Sequence, residues 1–233
     1  MIAIEKILEL MASPVPGMKR KSNPDVWEID TFLRVVETYG KRLDPRFVLD
    51  DNNRWVYAQL VYWVMNDRRM RAMEPGTDRE IAGRPWKGIY LAGRTGTGKT
   101  VATKILQQLY RVNRFTLDGN HIGWVEVRAS EVADSFLTNG STDNLMRAPL
   151  LCIQDLGSEP AETVHMGNRV NVLRQILEYR GDLGNRAVTI ITSNYPLEHQ
   201  ATEDRYGSRV VSRLVEMTNY LVLGGEDRRR NIR

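Results

Sequence analysis

Gly93-Arg94-Thr95-Gly96-Thr97-Gly98-Lys99-Thr100 decides how the chain is read. It is a GxxxxGKT phosphate loop in a fitting context, with the apolar strand Gly88–Ala92 running in and the helical pattern Lys99–Val112 running out. Glycines at this spacing let the backbone curl so that successive N–H groups face one anionic centre. The following helix adds its free first-turn N–H groups and the positive end of its dipole. Lys99 is then placed to reach the β- and γ-phosphates, and the Thr100 hydroxyl to bind Mg²⁺. Residues 93–101, ending at Val101, are therefore the expected binding site for ATP or ADP.

Outward from the loop, strand and helix patterns alternate. Gly123–Val127, Leu150–Ile153, Ala187–Thr192 and Tyr220–Leu223 read as further strands. Between them lie the helical patterns Ser130–Leu137, begun by a serine cap, Asn168–Tyr179, stopped by Gly181, and Arg209–Met217. Such alternation predicts a five-stranded parallel sheet with helices on both faces, an α/β fold. Residues 1–82 read differently. Ile4–Met11, Asp25–Tyr39 and Asn52–Met65 are amphipathic helix patterns separated by proline and charge, and Arg68–Arg79 is polar enough for a linker. The division expected is a helical region, 1–82, ahead of a nucleotide-binding domain, 83–233.

Composition narrows the class. Of 233 residues, 42% are hydrophobic and 27% charged, the balance of a globular chain rather than a disordered one. No apolar run approaches the ~20 residues of a membrane span. Acids interrupt the apolar N-terminal stretch, so no export signal is expected there. Cys152 is the only cysteine, which excludes an internal disulfide framework and suits a reducing cytoplasm. The net charge is +4, and its basic residues are 26 Arg against 7 Lys. Guanidinium groups grip phosphates bidentately, so this bias fits a nucleotide or nucleic-acid partner.

Three more features carry chemistry. The strand Leu150-Leu151-Cys152-Ile153 runs through Gln154 to Asp155, where a carboxylate meets a magnesium shell in phosphate-loop proteins. Asn194 follows the strand Val188–Ile191 and is placed to hold an attacking water or sense the γ-phosphate. Late arginines cluster at Arg205, Arg209 and Arg213, then at Arg228, Arg229 and Arg230. A small-molecule kinase would need a mobile lid, and the interval from Arg180 to Arg186 is too short for one.

In order and spacing, GRTGTGKT, LLCIQDLGSEP, TIITSNYP, YGSRVVSRL and the GGEDRRR ending resemble the AAA+ ATPases. More narrowly they are similar to the DnaC/IstB-like group of replicative helicase loaders and transposition helper ATPases, across residues 86–230. The resemblance implies an AAA+ three-layer fold. It implies Asn194 as the first sensor, Arg213 as an arginine finger reaching a neighbouring subunit, and Arg229, with Arg228 as the alternative, as the second sensor. It further implies ATP hydrolysis by an ATP-dependent oligomer on single-stranded DNA, with a replicative helicase or a transposase as partner. The group usually carries two adjacent acids where this chain has Gln154-Asp155. An amide supplies no negative charge to Mg²⁺, so either Asp155 covers both roles or hydrolysis is slow, as in a nucleotide-gated switch; an acid at 154 is expected to raise turnover.

Overall fold

The inner strands of the central sheet are short runs buried on both faces, so aliphatic residues dominate them, while the edge strand Val125–Arg128 is largely exposed and half polar. The computed structural model describes residues 28–117, 119–165 and 168–229. In chain order its elements are α1 (Ile29–Leu43), α2 (Arg54–Val64), β1 (Arg71–Met73), β2 (Glu80–Ala82), β3 (Gly88–Ala92), α3 (Lys99–Tyr110), β4 (Thr116–Leu117) and β5 (Asn120–His121). Then follow β6 (Val125–Arg128), α4 (Ala129–Asn139), α5 (Asp143–Arg147), β7 (Leu150–Leu156), β8 (Thr163–His165), β9 (Asn168–Val170) and α6 (Val172–Asp182). A 3₁₀ turn (Gly184–Arg186), β10 (Val188–Ser193), α7 (Gln200–Tyr206), α8 (Ser208–Met217) and β11 (Thr218–Val222) complete the order.

Five strands form one parallel sheet in the order β11-β3-β10-β7-β6. The chain leaves β3 for the far edge at β6 and works back through β7 to β10. It then crosses β3 to reach β11. The order therefore reverses around β3, and ligands of open α/β sheets sit at the strand C-termini beside such a switch point.

Alternation along β3 feeds two cores. Ile89 and Leu91 join one cluster with α1, α2 and α3, while Tyr90 and Ala92 join a second with α4, α6 and α8. The result is the three-layer α/β arrangement expected. Helices α1 and α2 belong to the first layer: Val36, Leu60, Val61 and Trp63 are fully buried in it. Trp63 stands edge-on to Phe115 at 5.0 Å and donates its indole N–H to Lys87 O at 2.7 Å. Trp55 and Tyr62 are half-buried against the same cluster. The aromatic residues of α2 thus serve the core rather than a free surface.

Several local expectations are corrected. Arg71–Ala82 is an antiparallel hairpin, β1 with β2, where polarity suggested a linker. Every residue of β2 is exposed, so no apolar alternation marks it. The helix expected from Asn168 begins at Val172, because Asn171 caps it by accepting from Arg174 N at 2.9 Å, while Asn168–Val170 pairs with β8. Gly181 does not stop that helix, which runs to Asp182 with the Arg213 side chain packed against the glycine. Ser130 lies inside α4; Arg128 is the cap, its N–H bonded to Glu131. The expected helix Ile4–Met11 lies outside the described residues.

Among the described residues no helix is long and apolar enough to cross a membrane.

Candidate nucleotide site

The fully buried strand β3 delivers the chain to Gly93, whose N–H donates to Ser193 O at 3.2 Å across the sheet. A Cβ at Gly93 would stand 2.6 Å from Leu223 O, so the residue must be glycine for the strand to turn here. Gly96 and Gly98 have φ of 86° and 102°, the left-handed region glycine reaches without strain. Gly98 is the N-cap of α3 and lacks a side-chain cap, which leaves the first-turn N–H groups turned toward the loop. Thr97 Oγ1 donates to Arg94 O at 2.9 Å and tightens the curl.

Lys99 is the centre of the arrangement. Its side chain folds over the loop and Nζ donates to Gly93 O at 2.7 Å, Arg94 O at 3.1 Å and Asn194 Oδ1 at 2.6 Å. Burial lowers its pKa from the ordinary lysine value; the Asp155 carboxylate opposes that shift and Arg229 adds to it.

These groups border a cavity of about 360 Å³ at the C-terminal ends of β3, β7 and β10. Thr95, Gly96, Thr97, Gly98, Lys99, Thr100, Val101, Asp155, Asn194, Arg228 and Arg229 all line it. Gly93 sits behind the wall as an acceptor for Lys99, and the Arg94 side chain is exposed while its carbonyl accepts from Lys99 and Thr97. Asp155 has φ 55°, a left-handed conformation costing a non-glycine residue about 1–3 kcal/mol. Its N–H donates to Thr192 Oγ1 at 2.8 Å. The two late arginines part company. Arg228 spends its guanidinium on Asp50, at 3.0 and 2.9 Å to the two carboxylate oxygens, and its backbone N–H on Gly96 O at 3.1 Å. Arg229 is exposed at the cavity and close enough to Lys99 to lower its pKa.

Gln154 and Arg213 lie away from the cavity, and only for Gln154 does this depart from expectation. Gln154 does not line the cavity. Its buried Nε2 donates to Thr103 Oγ1 at 2.6 Å and Glu126 Oε1 at 3.2 Å, and its Oε1 accepts from Thr192 at 3.1 Å. The amide is a link beneath α3, so the expectation of a weakened magnesium slot facing the nucleotide is corrected. Arg213 lies on α8 away from the cavity, with Nη2 on Asp182 at 2.5 Å and Nη1 on Glu216 at 3.3 Å. Arg209, one turn earlier, is exposed.

The far wall of the cavity was not foreseen. Asp44, Arg46, Phe47, Asn53 and Tyr57 supply it from α2 and the α1–α2 connection. Phe47 and Tyr57 meet edge-on at 5.5 Å, and Gly40 leaves room for the Phe47 ring, which a Cβ would strike at 2.3 Å. Burial raises the Tyr57 phenol far above its usual pKa, keeping it neutral. The only trace of this wall in the sequence is a pair of aromatics flanking a polar stretch.

No family model matches the sequence, and no curated protein matches it. Solved structures do. The crystal structure of the DnaC helicase loader superposes with a TM-score of 0.52 at 22% identity, over 78% of this chain and 96% of that one. AMPPCP-bound DnaA from Aquifex aeolicus follows at 0.49 and 17%, over 79% of this chain and 50% of the other. The ORC1 protein of Aeropyrum pernix in complex with DNA gives 0.43 and 15%, over 82% and 50%. The chain has the AAA+ fold, and its phosphate loop occupies the fold's switch point.

Proposed function

We propose that the protein is an ATP-binding and ATP-hydrolysing AAA+ protein that acts as a DnaC-like helicase loader on single-stranded DNA. One observation carries the ATPase part: Lys99, Thr100, Asp155, Asn194 and Arg229 come from four separate segments and converge on one cavity. The loader part is supported by the order of the DnaC/IstB-like segments and by a fold shared with nearly all of the solved chain of a helicase loader. A transposition helper of the IstB-like kind is the other reading that the same segments support.

In this reading the loop N–H groups and the start of α3 bind the β- and γ-phosphates. Lys99 exchanges its loop carbonyls for phosphate oxygens while Asn194 keeps it oriented. Asp155 orients the attacking water and accepts a hydrogen bond or proton from it. Arg229 faces the γ-phosphate as the second sensor. The donor set fits Mg²⁺: the Thr100 hydroxyl and the Asp155 carboxylate are hard oxygen groups on one cavity. No cluster of three or more candidate metal ligands occurs among the described residues. Such a pairing suits an ion that brings phosphate and water as its remaining ligands. When bound, that ion would supply positive charge to the β- and γ-phosphate oxygens. The base then lies toward Phe47 and Tyr57.

One lysine leaves transition-state charge on the γ-phosphate only partly compensated, and a guanidinium supplied by a neighbour is worth ~10³-fold or more in rate. We assign that group to Arg213, which its own subunit keeps away from its own cavity. In this reading residues 1–82 meet the partner through their exposed side, while the buried sides of α1 and α2 complete the ATPase core and cavity wall, and the cytoplasm is the compartment. Mixing subunits tests the assembly. Arg213→Ala and Lys99→Ala variants, each inactive alone, should recover ATP turnover together, because one keeps the intact loop and the other the intact finger. Co-assembly without recovery would contradict a finger acting between subunits.

A further inference from the structure

The turn that carries Asp155 is held from both sides. On one side the Asp155 N–H donates to Thr192. On the other, the Gly157 N–H donates to Glu159 Oε2 at 2.9 Å, after a bend that passes Gly157 at φ 99° and closes with Ser158 N on Asp155 O at 3.0 Å. Glu159 is itself buried, 6% exposed. Its second oxygen, Oε1, accepts from Arg205 Nε at 2.9 Å and from the Tyr206 hydroxyl. A single carboxylate therefore fastens the Asp155 turn to α7.

Glu159 is absent from the cavity wall. As a stabilising device the pair is poor, because Arg205 Nη2 is buried without a partner among the described residues. Buried ion pairs with unsatisfied groups seldom add net stability. Left-handed backbone at a residue such as Asp155 persists only where its surroundings over-determine it, and it tends to mark functional geometry.

We propose that Glu159 is a positioning residue for ATP hydrolysis, fixing the Asp155 turn in the conformation that presents its carboxylate to the cavity. The inference rests on Asp155 being the acid of the proposed ATPase site. It explains why the acceptor must be a carboxylate. Both oxygens of Glu159 accept, one from each side of the joint. A glutamine would turn its NH₂ toward either Gly157 N–H or the Arg205–Tyr206 pair, so one side must open.

The test uses the full chain, with ATP turnover and equilibrium binding of a fluorescent ATP analogue measured well below the melting temperature. Glu159→Gln should lower kcat by about tenfold or more, the scale set by a small misplacement of a reacting group. The analogue Kd should stay within about twofold, since Asp155 serves the reaction more than ground-state binding. Combining Glu159→Gln with Asp155→Asn should be no slower than Asp155→Asn alone, because the glutamate acts through the aspartate. Unchanged kcat in folded Glu159→Gln, or losses that multiply in the double variant, would overturn the proposal. If Glu159→Gln does not fold, Tyr206→Phe carries the test, with about a threefold loss of kcat at unchanged Kd expected and no loss overturning it. A wild-type chain without turnover would sink the ATPase reading and this inference together. An active wild type indifferent to these changes would sink only the role of Glu159.

Discussion

Lys99 Nζ donates to Asn194 Oδ1 at 2.6 Å, joining the start of α3 to the end of β10 across 95 residues of chain. The contact places the loop's charge against the polar group that follows the fourth strand of the sheet. It also makes Asn194 an orienting partner for the lysine as well as a group facing the cavity.

Replacing that partner should separate binding from turnover. Asn194→Ala removes one of three acceptors but leaves the ammonium and the loop carbonyls. ATP affinity should fall no more than about threefold, while turnover falls roughly 10- to 100-fold, as for loss of a positioned polar group. Asn194→Asp sets a carboxylate against Lys99 and beside the phosphates, so here affinity itself should fall at least about tenfold. Titration with a fluorescent ATP analogue and a phosphate-release assay distinguish the two; equal behaviour of both variants would argue against the contact.

Gln154 gives a second discriminating change. Its amide bridges Thr103, Thr192 and Glu126. In Gln154→Asp a shorter, charged group would lie near Glu126, without the N–H donors that Thr103 and Glu126 accept. The expected result is a loss of about 2–4 kcal/mol of stability and no gain in turnover. Chemical denaturation with a parallel ATPase assay checks it. A faster variant of unchanged stability would restore the view that an acid belongs in that position.

Arg180 is the largest polar investment away from the site. Its guanidinium is buried among Thr189 Oγ1 and the carbonyls of Leu145, Met146, Ala148 and Val188, at 2.7–3.2 Å. Burial pushes its pKa down to about 10. It ties the end of α5 to the N-terminal end of β10, opposite the cavity. Arg180→Met orphans several buried acceptors and should cost about 3 kcal/mol or more, close to 10 °C in Tm for a chain of this size. Nucleotide affinity measured at 20 °C should be unaltered. A Tm within a degree or two of wild type would show that the network is not structural.

What could be read from sequence follows from burial. Strands β3, β7 and β10 are shielded on both faces, so β3 and the first four residues of β7 are plain apolar runs and β10 interleaves aliphatics with small hydroxyl residues; the loop Gly93–Thr100 carries its own chemistry in its spacing. The hairpin of β1 and β2 left no period because β2 is exposed on both sides. Asn168 and Asn171 are equally good caps on paper; pairing of Asn168–Val170 with β8 decides between them. Gln154 and Asp155 are neighbours in sequence, yet one faces beneath α3 and the other the cavity, a divergence set by the left-handed turn at Asp155. The wall made by Phe47 and Tyr57 depends on how α1 and α2 pack against α3, which no local pattern encodes.

The central claim is that this cavity binds ATP through its phosphate loop, and calorimetric titration of Mg²⁺–ATP into the wild-type chain and Lys99→Ala tests it most directly. The account predicts saturable binding at one site per chain in the wild type, weakened at least about tenfold in Lys99→Ala, with the melting temperature of the free protein changed by only a few degrees. Equal affinity in the two proteins, or no binding in the wild type, would contradict it.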